Sequence, residues 1–189
     1  MKLHTKGGRE GIIPDRIAMD IEVRNRIASL AEDKRPELYD KEASDLRKHG
    51  EISSLIRIAK AKDDREFAGK EDCTIARKTA ITLLGKMNSK KRNGKIEDTL
   101  ADLISDKESE IRMCAVSNLS QEKKEEIAES LIEEIKIETD LPKRLVALQK
   151  LNPLIDEKIE FELEKIYKSD DSEMLKYEID RIFDKLSLN

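Results

Sequence analysis

Aromatic residues are scarce in this chain. Tryptophan is absent, and three tyrosines with three phenylalanines make up 3% of the 189 residues. Seven glycines and four prolines are also few. A globular α/β enzyme ordinarily carries more aromatic residues and more glycine. There are two histidines, His4 near the N-terminus and His49 beside Gly50. The only cysteines are Cys73 and Cys114. That inventory is too small for a metal centre of the usual His/Cys kind. No CxxC, HExxH, GxSxG or Walker loop occurs. Paired carboxylates abound, but a charge-rich helix surface supplies them without any catalytic role. No catalytic, cofactor or metal residue is assigned, and the chain reads as a non-enzyme. Both cysteines fall in expected helices, as buried reduced thiols rather than a disulfide, which points to the cytoplasm. No apolar run reaches the length of a membrane span, so no membrane partner is expected. No segment alternates apolar and polar residues as a half-buried strand does.

What is present is charge and aliphatic side chains at helical spacing. Charged residues are 41% of the chain and the formal net charge is -4. The whole chain is therefore no electrostatic glue for nucleic acid. Residues 1–13 read as a flexible basic, glycine-rich tail. Pro14 and Asp15 open a helix reaching about Asp33. Its two stripes, Ile17, Ile21 and Ala28 and then Met19, Val23, Ile27 and Leu30, predict burial on two sides. Pro36 opens another helix that ends near Gly50. Residues 14–50 are thus an N-terminal helical cap.

From residue 51 to 189 the pattern becomes four helical hairpins. Ile52, Leu55, Ile56 and Ala59 form one apolar face, and a long charged connection follows. Cys73 to Met87 carries Ala76, Ala80, Leu83, Leu84 and Met87 on a single face. Lys95 to Leu119 reads as two short helices, with Ser105 and Glu108 as a capping box between them. Ser120 to Ile137 turns Ile127, Leu131, Ile132 and Ile135 inward. Asp140 caps the next helix, and Asn152-Pro153 ends it. Asp156 to Tyr167 and a final helix from Ser172 complete the chain. The latter buries Leu175, Ile179, Ile182, Phe183 and Leu186. About ten helices are predicted.

The hairpins align with one another. Arg77, Arg112, Arg144 and Lys176 recur at spacings of 35, 32 and 32 residues (112-77, 144-112, 176-144). Three positions later stand Ala80, Ala115, Ala147 and Ile179. Seven positions later stand Leu84, Leu119, Leu151 and Phe183. Shortly before each basic residue stands Asp72, Asp106, Asp140 or Asp171. Such arrays bury a continuous core by stacking neighbours.

This register resembles the HEAT-repeat superfamily, in its short phycobilisome-lyase-type form. Asp106 with Ile111-Arg112, Ala115 and Leu119 carries the resemblance, followed by Ile75 to Ala80 with Leu84-Gly85. It implies an all-α fold, a short right-handed α-solenoid whose second helices line a concave face. It also implies an Asp and Arg ladder between turns. Lys143 and Lys176 depart from the pattern and are expected to weaken that ladder in the third and fourth units. The resemblance implies a non-catalytic scaffold or adaptor that binds a protein partner. The enzymatic exceptions are the lyases sharing this repeat and HEAT-like DNA glycosylases.

Two sets of residues stand out as candidate sites. Between Cys73 and Ile96 there is no acidic residue, while Arg77, Lys78, Lys86, Lys90, Lys91, Arg92 and Lys95 give seven positive charges. From Glu97 to Asp140 there are 14 acidic and 5 basic residues, a net of -9 (5-14). Segment 77–95 is the candidate phosphate or acidic-partner site, and its alternative reading is a nucleic-acid contact. No aromatic residue interleaves it for base stacking. Its bland reading is that cations at a helix C-terminus complement the dipole. The second set lies one position past the basic column: Lys78, Met113, Leu145 and Tyr177. At 100° per residue that position is about 115° from the centre of the buried face set by positions three, four and seven. It is the candidate protein-partner surface.

Overall fold

The computed structural model describes residues 12–33, 35–61 and 70–187. Among them are ten α-helices, one 3₁₀ turn and no strand. The helices are α1 (Ile12–Asp33), α2 (Pro36–Lys48), α3 (Ile52–Ala59), α4 (Lys70–Lys90) and α5 (Gly94–Leu103). They continue as α6 (Ser109–Asn118), α7 (Gln121–Ile137), α8 (Leu141–Leu151), α9 (Glu157–Ser169) and α10 (Glu173–Ser187). The 3₁₀ turn Asn152–Leu154 follows α8. No helix among the described residues is long and apolar enough to cross a membrane. Most of residues 1–13 and of the charged connection lie outside the described residues. The chain divides into two compact units, Met1–Arg92 and Asn93–Asn189.

The first unit is built around α4, which packs against α1, α2 and α3. Three neighbours explain why its burial is not one-sided. Cys73, Arg77, Thr79, Ala80, Ile81, Leu83, Leu84, Met87 and Asn88 are all buried, whereas Ala76 from the expected face is only half-buried. Against them lie Val23, Ile27 and Leu30 of α1, Ala43 and Leu46 of α2, and Leu55, Ile58 and Ala59 of α3. Only one stripe of α1 is buried where side chains are described. Ile21 and Ala28 of the other stripe are exposed, while Ile17 and Met19 lie outside the described side chains. Glu51 is buried at the start of α3, and the Arg26 guanidinium stands 3.6 Å from it. Burial pushes the Glu51 carboxyl above the ordinary glutamate value, against the pull of Arg26.

The second unit holds the hairpins α5/α6, α7/α8 and α9/α10. Helix α7 packs on both α5 and α9, and α8 packs on α10. The 3₁₀ turn touches α6 and α8. Ala115, Ala147 and Ile179 are fully buried, as Ala80 is in the first unit. Leu84, Leu119 and Leu151 are buried as well, and Phe183 is half-buried. Side chains close several helix starts. Asn93 accepts from the Lys95 and Ile96 amides, Ser120 from Lys123, Asp156 from Ile159 and Ser172 from Leu175.

Four local expectations need correction. The Ser105/Glu108 capping box does not form, because α6 begins one residue past Glu108. The Asp106 carboxylate instead accepts from the Glu108 amide at 2.9 Å, closing a turn of the Asx kind. Asp140 precedes α8 without a side-chain cap. The Glu138 carboxylate takes the Thr139 and Asp140 amides at 2.8 and 3.0 Å. In α7 the small Ala128 is buried and Ile127 only half-buried. Leu186 is exposed near the end of α10, where the helix runs past its last buried residue, Ile182.

The basic column has a structural use. Arg77 donates from Nε to the Ala59 carbonyl at 3.0 Å, and Arg144 from Nε to the Ile135 carbonyl at 2.7 Å. Both carbonyls lie in the last turn of the preceding helix, where no intrahelical donor reaches them. Arg112 donates to the Asp106 and Lys107 carbonyls of the turn before α6. Arg144 also binds the Asp170 carboxylate with both terminal nitrogens. That Arg–Asp pair forms between the third and fourth units, where a weakened ladder was expected, and it uses Asp170 rather than Asp171.

Overpacking at Ala115 tests this packing. Ala115→Leu is expected to cost roughly 1–3 kcal/mol of unfolding free energy in a denaturant titration. An unchanged midpoint would show that the helices do not meet there. The Arg144 pair gives a pH prediction. The hydrogen bonds from Arg144 hold Asp170 below its ordinary value of 3.8. The stabilisation is therefore present above that value and is lost as pH falls through the folded one. Arg144→Met should cost about 1.5–3 kcal/mol at pH 7. The gap from the parent protein should narrow in titrations below about pH 4. A gap that stays constant would assign the loss to packing alone.

Candidate interaction surfaces

The structure separates the basic set. Arg77 is 1% exposed, and its guanidinium serves the end of α3, so it leaves the surface site. Lys86 and Lys90 converge on Asp40 of α2. Their Nζ atoms stand 3.2 and 3.9 Å from its carboxylate, and Lys90 also reaches its carbonyl at 3.2 Å. The acid missing from the local sequence is thus supplied by a helix far along the chain. Lys91 and Arg92 are exposed just past the end of α4. The dipole account also changes. Arg47 of α2 donates to the Met87 carbonyl, and to the Lys91 carbonyl at 3.1 Å, so it serves the carbonyls at that helix end directly. Lys95 stands in the first turn of α5 in the other unit, where a cation opposes the helix dipole. Lys90, Lys91 and Arg92 remain as the exposed basic turn.

The partner row is also divided. Lys78 is half-buried on α4 in the first unit, and the other three residues lie in the second. Met113 on α6 is 54% exposed and Tyr177 on α10 is 60% exposed. Leu145 on α8 is half-buried. The residue beside it, Val146, and Met174 on α10 are exposed, and the sequence column missed both. The buried face of α8 is Ala147, Leu148 and Leu151, which places Val146 roughly 150° from its centre and Leu145 nearer the edge. The Arg181 guanidinium lies 6.0 Å from the Tyr177 ring and pairs with Glu178.

A third surface has no counterpart in the sequence reading. Helices α7 and α9 and the 3₁₀ turn enclose a groove of about 500 Å³. Lys158 of α9 meets Glu129 of α7 at 3.0 Å, and Lys136 of α7 meets Glu162 of α9 at 2.8 Å. Hydrogen bonds from Lys136 and Lys165 pull the Glu162 carboxyl down to about 2. A net charge count along the segment registers the acidity of α7 but not the space beside it. No protein-family model, curated protein or solved structure matches this chain.

Charge reversal tests the basic turn. If it holds phosphates, Lys90→Glu, Lys91→Glu and Arg92→Glu together abolish binding to a generic DNA duplex at low salt and leave far-ultraviolet circular dichroism unchanged. The parent protein should lose affinity linearly in log salt, with a slope of about -0.9 for each phosphate neutralised. No measurable duplex binding by the parent protein would reduce the turn to a solvated helix end.

Proposed function

We propose that this chain is a non-catalytic HEAT-like scaffold, an α-solenoid of short hairpins that binds another protein on the side of its second helices. The repeated register supports the architecture. One column is buried in all four hairpins, and the basic column serves preceding helix ends or turns in three. The consecutive packing of α5, α7 and α9, with α8 on α10, is the arrangement that such a stack requires.

The observation that carries the binding role is the exposed apolar set on the second helices. Met113, Val146, Met174 and Tyr177 are each about half exposed or more. Single exposed apolar residues mean little, but these recur on α6, α8 and α10, and methionine and tyrosine are enriched at interface cores. The carboxylates pulled below their ordinary values fit a scaffold too. Asp170 and Glu162 owe their shifts first to cations on other helices, as structural ion pairs do. The alternative, a nucleic-acid contact, rests on Lys90, Lys91 and Arg92 alone.

The test uses a partner protein captured from the native host. Met113→Ser, Val146→Ser and Tyr177→Ser together should abolish its binding. Each change should shift stability by no more than about 0.5 kcal/mol. A large fall in melting temperature would mark these residues as core and remove the surface. Retained affinity with stability kept would remove it as well.

A further inference from the structure

The groove between α7 and α9 is distinct from the second-helix surface, and its chemistry differs. Its floor is aliphatic: Ala128 and Ile132 from α7, Ile159 from α9, and Leu154 and Ile155 from the connection before α9. The small side chain of Ala128 leaves the space that a larger residue would fill. Along one wall Glu125, Glu129 and Glu133 follow each other every four residues, so they form a single row on α7. Like charges at this spacing oppose the helix that carries them. Across the groove Lys158 pairs with Glu129 and also attracts Glu125. Lys124 and Lys136 line the groove too, so its described lining holds five acidic residues (Glu125, Glu129, Glu133, Asp156 and Glu162) against three lysines. Glu125 accepts from Gln121, and neither it nor Glu133 has a lysine or arginine within ion-pair distance among the described residues. Glu129 and Lys158 are both about two-thirds exposed (67% and 69%), so their pair holds the groove weakly.

An aliphatic floor beside an acidic row calls for an apolar occupant with positive charges along its edge. We propose that this groove binds an amphipathic helical segment of a partner protein, whose leucine-like side chains enter over Ala128 and Ile132 while its lysines or arginines align with Glu125, Glu129 and Glu133. The volume suits two or three aliphatic side chains, within the roughly 300–1,000 Å³ of typical binding pockets. An incoming cation takes over Glu129, and Lys158 swings into solvent. Helix-in-groove recognition of this kind reads anchors at i, i+3 or i+4, and i+7. The acidic row supplies orientation and rejects acidic segments by like-charge repulsion.

Fluorescence anisotropy on the full chain tests the proposal with three labelled synthetic peptides of equal length. One is a leucine/lysine amphipathic helix. The second replaces its leucines by serine, and the third replaces its lysines by glutamate. The first should bind, and the other two should bind at least about tenfold more weakly. Glu125→Lys with Glu133→Lys should weaken the leucine/lysine peptide by a similar factor at an unchanged melting temperature. Ala128→Phe should fill the groove and abolish binding. If that variant fails to fold, the double lysine variant still decides. Met113→Ser with Tyr177→Ser should leave peptide binding unchanged, which separates this site from the second-helix surface. Equal binding of the serine/lysine peptide would show charge attraction without the groove. An unchanged affinity in the double lysine variant would overturn the site.

Discussion

Close contact between short helices is the constraint on which this molecule depends. Helices α5 and α6 have ten residues each, and α3 has eight. Helices of that length are not stable alone in water. Each persists because an aliphatic face is buried against a neighbour. The fully buried Ala80, Ala115 and Ala147 stand on the inward faces of the second helices. Small side chains there shorten the distance between helix axes, and leucines four positions on fill the layer behind them. Protein interiors packed to crystal-like density leave little slack for a larger residue.

Close packing creates a second demand, because helix ends brought together carry carbonyls that no amide reaches. Arginine answers it here. Arg77 and Arg144 reach back to the ends of α3 and α7, and Arg47 spans from α2 to the end of α4. A guanidinium has donors pointing in several directions, so Arg144 serves a carbonyl and the Asp170 carboxylate together. Lysine has no such fork, and Lys176 at the matching position forms an ion pair with Glu173 one turn away. The arginines that recur in the repeat are thus structural first. Positive charge read along the sequence overstates what the surface offers.

Local signals made the helices legible. Proline at helix starts, Asn152-Pro153 at a helix end, and apolar residues at helical spacing located all ten elements among the described residues. The buried column was legible for the same reason, since periodicity reports which face turns inward. What was hidden depends on contacts distant in sequence. The burial of α4 on several sides follows from three neighbours, which no window on α4 contains. Asp40, on which Lys86 and Lys90 both converge, is equally remote. The capping errors were smaller: Asp106 and Glu138 close turns with their own side chains, so neither the Ser105/Glu108 box nor an Asp140 cap forms. Of the candidate sites, Met113 and Tyr177 were placed outward correctly. Val146 was missed because a single column samples only one direction around each helix.

Function is better sought in what packing and capping leave unexplained. A sequence agrees with its fold at most positions, and local disagreements concentrate where something other than stability is selected. Three disagreements stand out. Lys95 puts a cation at the start of α5, against the dipole. Met113, Val146, Met174 and Tyr177 expose apolar surface that a purely structural helix would make polar. Glu125, Glu129 and Glu133 line one wall of a groove with like charge, although lysine in the same row would strengthen the helix. The first two have modest alternatives in solvated ends and partial burial. The third has a bland counterpart too, since a charge-rich helix surface carries such rows, but here the row borders a groove with an aliphatic floor. The acidic row therefore points most directly to a partner, and the aliphatic floor beside it specifies that partner's chemistry.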